Sequence, residues 1–225
     1  MIELAVLDMA GTTVEEHQLV YRALAEAATA AGSDAGPEEF HRWHGAMKRE
    51  ALRNLLAAPD GTPPAEHVVD AALDDFRARL SAAYERTPPE PIPGVVPALA
   101  RLRRNGVRVV LTTGFDREVV DKLLATLGWE SGVVDAVVCG DDVPRGRPAP
   151  HMIHHAMELT GVHDVAATLV AGDTPRDLQA GTNSGAAMVV GVLSGAGTPD
   201  ELGRARHTHL VGSVADLPDL LGLPA

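Results

Sequence analysis

Apolar residues in this chain fall into short unbroken runs separated by longer stretches with helical spacing. Runs suited to buried strands lie at 2–7, 107–111, 134–138, 167–171 and 187–193. The first, Ile2 to Leu7, is long enough for a buried strand and too short for anything else. Helices are predicted at about 17–31, 95–105, 116–127, 150–160 and 175–181, the first four closed by Gly32, Gly106, Gly128 and Gly161. Glycine suits the left-handed conformation that commonly ends a helix. This alternation predicts an α/β fold, a parallel sheet with crossover helices.

The interval from about 15 to 90 breaks the alternation. It carries helical patterns, Glu38 to Ala57 and Ala65 to Arg86, and no convincing strand. It ends in Thr87-Pro88-Pro89-Glu90-Pro91-Ile92-Pro93-Gly94, a stiff, proline-punctuated linker. The division that follows is a core of 1–14 and 91–225 with a helical insertion at 15–90. Because the insertion leaves the core beside Asp8, it can sit over that strand end as a lid.

The strand ends hold the candidate chemistry. The first run releases Asp8 into Met9-Ala10-Gly11-Thr12-Thr13, at the sheet edge where open α/β folds place their ligands. Asp8 is therefore a candidate nucleophile or metal ligand. The run Val107 to Leu111 delivers Thr112-Thr113-Gly114 to the same edge, where hydroxyls and free N–H groups suit a phosphoryl group. A structural alternative is that Thr113 and Asp116 form a capping box for the next helix. The run ending at Ala171 delivers Gly172-Asp173-Thr174-Pro175-Arg176-Asp177. Thr174 as N-cap, Pro175 at the first helical position and Asp177 two further on make a self-sufficient helix start, so Asp177 alone reads as structural. Asp173 has no capping offset to explain it. With Asp8 it makes a hard-oxygen site suited to Mg²⁺. Arg147, in Gly146-Arg147-Pro148, is either a surface arginine or a cation at the sheet edge.

Composition narrows the class. With 225 residues, the chain fits one α/β domain carrying an inserted subdomain. Hydrophobic residues at 45% and charged residues at 22% are ordinary globular values and argue against disorder. A net charge of −12 argues against a nucleic-acid partner, which would demand clustered Lys and Arg. A small anionic substrate remains open, because a local cation pair can reverse the field inside one cleft. The single cysteine, Cys139, excludes an internal disulfide and a zinc cluster, and is expected as a buried small hydrophobe. No apolar run reaches the roughly 18 residues of a membrane span, and Met-Ile-Glu-Leu lacks the features of a leader. A soluble, cytoplasmic protein is expected, with homodimerisation left open.

These residues resemble the four ordered motifs of haloacid-dehalogenase-type phosphohydrolases: Asp8-x-x-Gly11-Thr12, Thr113 after the next core strand, Arg147-Pro148, and Gly172-Asp173-x-x-x-Asp177. The resemblance covers the core and implies a Rossmann-like fold with a small α-helical cap. It further implies that Asp8 attacks phosphorus to give an aspartyl-phosphate. Gly11, Thr12, Thr112, Thr113 and the Gly114 N–H would bind substrate, the last two holding phosphoryl oxygens. Asp8, Asp173 and the Ala10 carbonyl would hold Mg²⁺, with Asp177 orienting its shell.

Most phosphatases of that superfamily carry a second aspartate two positions after the nucleophile, as general acid and base. Here that position is Ala10, and the help it forgoes is typically worth about 10²–10⁴ in rate. Asp-x-Ala-Gly-Thr, with arginine before the proline, resembles the phosphonoacetaldehyde hydrolase group. In that group a cap lysine forms a Schiff base, so the departing carbon leaves as an enamine and needs no acid. Gly45-Ala46-Met47-Lys48 resembles its Gly-x-x-Lys motif, and the chain has one other lysine, Lys122. Lys48 reads as the imine lysine, as an exposed helix residue, or as a phosphate-binding cation. The group's cysteine, histidine and tyrosine are replaced by Gln18, Ala51 and Phe115; His17 and His44 are candidates to replace those proton carriers, or merely sit on helices. The function expected is a Mg²⁺-dependent, phosphonatase-like hydrolase of a small anionic phosphono- or phospho-metabolite, with Asp8, Lys48 and Arg147 catalytic. A plain phosphomonoesterase and a non-catalytic phospho-ligand-binding relative are the alternatives.

Overall fold

The computed structural model describes residues 1–225. The chain runs β1 (Leu4–Asp8), β2 (Val14–Glu15), α1 (Leu19–Ala30), α2 (Pro37–Arg42), α3 (Lys48–Leu55), α4 (Glu66–Arg86) and β3 (Glu90–Pro91). It continues through α5 (Val95–Arg104), β4 (Arg108–Thr112), α6 (Arg117–Leu127), β5 (Ala136–Val138), α7 (His151–Thr160) and β6 (Thr168–Gly172). It closes with α8 (Pro175–Ser184), β7 (Met188–Val192), α9 (Pro199–Arg204), β8 (His209–Val211) and α10 (Leu217–Leu220).

Six parallel strands form the sheet in the order β5-β4-β1-β6-β7-β8. Alternate residues enter two cores. Ala5, Leu7, Val109, Leu111, Leu169 and Val190 share one with α5 and α6, whereas Leu4, Val6, Val110 and Val170 face Met152, Ile153 and Ala156 of α7. Both faces are covered, which is why the strands read as continuous apolar runs rather than alternating ones. The first strand is central, with β4 on one side and β6 on the other, and Asp8 lies level with Thr112. Chain order reverses at β1, so its carboxyl end opens into the crevice where such sheets bind ligands.

The helices α1, α3 and α4 of the 15–90 interval pack on one another, and their apolar faces join the core of the β1 face. Three expectations are corrected here. The interval does carry strands at its two ends: Val14 pairs with Pro91 and Glu15 with Glu90, a two-residue antiparallel ladder that ties the outgoing and returning chain together. The 38–57 pattern is two helices, broken at Trp43–Met47 where Gly45 takes φ +75°. The first helix starts at Leu19, since His17 and Gln18 occupy left-handed backbone just before it. The sixth strand, β8, was not expected; its His209-Leu210-Val211 carries too little apolar pattern to show. No helix is long and apolar enough to cross a membrane.

Candidate active site

Asp8 ends β1, and a tight turn follows. The N–H groups of Thr12, Thr13 and Val14 all donate to the Met9 carbonyl at 2.8–3.1 Å, while the Thr13 hydroxyl donates to the Asp8 carbonyl at 3.0 Å. Gly11 turns through φ +80°, and a Cβ there would lie 2.5 Å from Asp173 Oδ2. The turn is thus built to let Asp173 approach. The side-chain oxygens of Asp8, Asp173 and Asp177 all lie within 4.8 Å of one another, and all three residues are buried.

One cation meets this cluster. Arg147 is buried, and its Nη1 donates to both Asp8 Oδ1 and Asp177 Oδ1, so the surface reading of this arginine is overturned. Its Nε is buried with no partner. Asp177 fulfils both sequence readings: one carboxylate oxygen accepts from the Thr174 N–H at 3.0 Å and from its hydroxyl, completing the capping box, while the other meets Arg147. Asp173 has no cationic partner. Its oxygens accept from the Thr12 hydroxyl at 3.2 Å and the Ala196 N–H at 2.7 Å.

Burial and the charges of Asp8 and Asp177 push the Asp173 carboxyl well above the ordinary range. Burial raises Asp8 to about 6, with Arg147 opposing. Three hard carboxylates against one arginine leave uncompensated negative charge in a dry site, and a divalent cation fits that donor set.

The second strand end differs from one of its two readings. Asp116 alone caps α6, accepting from the Val119 N–H at 3.1 Å, so Thr113 is not part of a capping box. The Thr113 hydroxyl accepts from the Phe115 N–H at 3.2 Å, which leaves its own proton free. Thr112 and Thr113 are buried, and Gly114 meets the helical segment directly: its carbonyl accepts from the Lys48 N–H at 3.3 Å.

The break before α3 sets Lys48 at the first position of that helix, only 7% exposed. The reading of Lys48 as a surface residue is therefore overturned. Its Nζ donates to the Ala46 carbonyl at 3.1 Å and stands 5.3 Å from the Phe115 ring centroid and 5.8 Å from that of Tyr21. Burial and Arg147 lower it to about 8, while Asp8 and Glu16 pull it upward. Lys122 is exposed and pairs with Glu118 at 2.9 Å. His17 is exposed, its Nδ1 3.6 Å from Glu15 Oε1. His44 lies in the turn before α3, stacked on Tyr21 at 3.6 Å, and burial lowers it to about 4. Cys139 is buried as expected.

Contact between the helical segment and the core is close enough to test. A Cβ at Gly114 would lie 2.4 Å from the Ala46 carbonyl oxygen and 2.9 Å from its carbon. Both obstacles are backbone, so Gly114→Ala must displace the α2–α3 turn and Lys48 with it. Turnover should fall at least about tenfold, since misplacement by about 1 Å can cost 10²-fold, and the melting temperature should fall with it, because the obstacle is backbone rather than a flexible side chain. Wild-type kinetics in this variant would refute the close fit.

Sequence reasoning missed the small-residue loop after β7, where Ser194 donates to the Gly11 carbonyl at 2.8 Å beside the Ala196 bond to Asp173. It also missed Glu16 and Tyr21. The available signals were a fifth strand end, Ser-Gly-Ala-Gly at 194–197, and an acidic pair where the chain leaves the core.

Residues 2–185 match the family model described as haloacid dehalogenase-like hydrolase. The chain is 31% identical over 196 residues to a phosphonoacetaldehyde hydrolase of Syntrophobacter fumaroxidans, covering 82% of this chain and 70% of that one. It is 32% identical over 205 residues to the enzyme of that name from Bacillus anthracis, covering 86% and 76%. Among solved structures it superposes on a hydrolase from Pseudomonas syringae with TM-score 0.85 at 21% identity, covering 98% of both chains. A phosphonoacetaldehyde hydrolase-like protein from Oleispira antarctica gives TM-score 0.82 at 23% identity, with coverage of 98% and 91%.

Proposed function

Because the chain belongs to the haloacid dehalogenase-like hydrolases, we propose that it is a Mg²⁺-dependent, phosphonatase-like enzyme that releases phosphate from a small aldehyde-bearing phosphonate. The observation that carries this reading is Lys48, a buried amine lowered to about 8, in a site whose usual acid position is Ala10. A poorly solvated lysine of that kind is primed to add to a carbonyl.

In this reading the 15–90 segment is a cap over the 1–14 and 91–225 core. Lys48 Nζ adds to the aldehyde carbon, water leaves, and the protonated imine stands ready to accept an electron pair. Asp8 attacks phosphorus, the carbon–phosphorus bond breaks, and its electron pair moves into the imine to give an enamine. The phosphoryl group rests on Asp8 until water cleaves it; protonation of the enamine carbon and hydrolysis release the aldehyde from Lys48. No acid is needed at position 10. Thr113 and the Gly114 N–H hold phosphoryl oxygens, and the unpartnered Nε of Arg147 offers a further donor. Asp8, Asp173 and the Ala10 carbonyl would hold Mg²⁺, with Asp177 orienting the shell. The metal supplies positive charge that lets a carboxylate approach an anionic phosphoryl group.

A plain phosphomonoesterase is the second reading. Gln18, Ala51 and Phe115 favour it, since none is an ordinary proton carrier, and Lys48 would then bind phosphate as a cation. Phosphate release from phosphonoacetaldehyde, measured beside a panel of alkyl phosphates, separates the two. We expect release from the phosphonate, abolished by EDTA and restored by Mg²⁺. Activity confined to the esters rejects the phosphonatase reading, and full activity in EDTA rejects the metal.

A further inference from the structure

The turn that leads into Lys48 rests on the start of α8. Gly45 passes so close that a Cβ on it would lie 2.6 Å from Thr174 Oγ1. Two positions after Thr174, the half-buried Arg176 reaches across the seam between the helical segment and the core. Its Nε and Nη2 donate to the Arg42 carbonyl at 3.2 and 3.0 Å, and its guanidinium carbon stands 4.9 Å from the centroid of the Trp43 ring. Its Nη1 serves the core side and donates to the Arg147 carbonyl at 3.3 Å.

All three bonds end on main-chain carbonyls, so Arg176 fixes the path of the chain rather than a charge balance. A guanidinium is a rigid planar fork. Here one part of the fork holds the exit of α2, and another holds the residue whose side chain meets Asp8 and Asp177. The neighbouring Asp177 binds that side chain, and Asn183, further along α8, donates to the Pro148 carbonyl at 2.8 Å. The helix α8 thus grips Arg147 by side chain and backbone, and through Arg176 it holds the turn before Lys48 in the same register. Beside this contact the seam widens into a cavity of about 210 Å³ between His41 and His44 on one side and Pro175, Ala196 and Gly197 on the other. The other polar link there, His41 Nε2 to Glu201 Oε1 at 2.7 Å, has an exposed histidine, and water screens such pairs.

We propose that Arg176 is a positioning residue: it clasps the 15–90 segment onto the core and so sets Lys48 against Asp8 and Arg147. Without it the turn at 43–47 loses its bonded partner on α8, and the lysine it delivers is uncovered more often. The role holds whether Lys48 forms an imine or binds phosphate, because either task needs the amine held at one distance from the carboxylate cluster.

Arg176→Met tests this, because methionine keeps an unbranched stem to lie on the Trp43 ring but has no donor. Brief acetylation by acetic anhydride, without substrate, reads how often Lys48 is uncovered, with the exposed Lys122 as the reference in the same sample. The Lys48-to-Lys122 labelling ratio should rise about tenfold or more, the scale of one lost hydrogen bond to a charged group. Arg176 also disfavours the Lys48 ammonium, so by charge alone its removal would slow labelling, and acceleration reports uncovering. Arg101→Met is the control: Arg101 ties down the chain end in a similar way, bonding the Pro224 carbonyl at 3.0 Å and Asp219 at 2.7 Å, and its loss should leave the ratio unchanged. Arg176→Lys should protect Lys48 only in part, since an ammonium reaches one carbonyl and cannot bridge both. With phosphonoacetaldehyde, kcat of Arg176→Met should fall by about 10²-fold with a smaller change in KM. An unchanged labelling ratio or wild-type kcat in Arg176→Met, an equal rise in Arg101→Met, or full protection in Arg176→Lys overturns the clasp. A wild type inactive on phosphonoacetaldehyde removes the phosphonatase reading instead, and the labelling then decides the role of Arg176.

Discussion

Replacing Asp8 by asparagine should abolish phosphate release, lowering turnover by about 10⁴-fold or more, and should at the same time raise the melting temperature of the metal-free protein at pH 7. The first effect follows from the proposed role of Asp8 as nucleophile: an amide cannot carry a phosphoryl group, and no neighbour can take its place. Asp177 is committed to Arg147 and the start of α8, and Asp173 to Thr12 and the Ala196 N–H. The second follows from the raised Asp8 pKa. Burial first, then the Asp177 charge, carry its carboxyl from 3.8 to about 6, against the pull of Arg147. A carboxyl that binds its proton more tightly when folded costs stability once it ionises. That cost appears as pH rises from about 4 to 6 and is fully present above. The advantage of Asp8→Asn should therefore shrink as the pH falls through that window, and Mg²⁺ should stabilise the wild type more than the variant. Chemical denaturation from pH 4 to 8, beside a phosphate assay, reads both. A variant that is inactive and also less stable at pH 7 would mean that Asp8 holds the fold together rather than being held in tension by it.

That tension explains why so much of the site was legible in the chain. Asp8 and Asp173 are expensive to bury and sit just past the ends of short apolar runs, where no cap accounts for Asp173, whereas Arg147 follows no such run and stood out only through the Arg147-Pro148 motif. Asp177 was legible as a cap because the capping box is local, and its second contact, to Arg147, is not. Lys48 was legible by its motif, but its position was not. The apolar spacing of Phe40, Trp43 and Met47 reads as a continuous helix, whereas Met47 is held against Gly140 and Gly146 across the cleft. Tertiary contact overrode helical periodicity there. Glu16 was illegible for a related reason: beside Glu15 it reads as the polar exit of a strand, and only the backbone of Gln18 and α1 turns it inward. The β2–β3 ladder was hidden because two residues, one of them Pro91, carry no strand pattern.

Lys48→Arg divides the two functional readings by a larger margin than any other single change. Arginine keeps a positive charge close to the same place and offers more hydrogen-bond donors, but it has no amine that can be freed near neutral pH. If Lys48 is a phosphate-binding cation, the variant should retain turnover within about tenfold. If it is the imine lysine, phosphonoacetaldehyde cleavage should fall by about 10³-fold or more, and borohydride should leave no adduct. The lowered pKa sets the scale. With a pKa of about 8, roughly a tenth of Lys48 is free amine at pH 7; an exposed lysine at 10.5 would hold about 300-fold less. The wild-type rate should accordingly climb as pH rises toward 8 and level above it, because the neutral amine is the reacting form. Burial of this one side chain, beside the turn at Gly45 and the approach of Ala46 to Gly114, is thus what would make the proposed carbonyl reaction feasible at neutral pH. Retained phosphonate cleavage in Lys48→Arg would show that the burial serves binding alone.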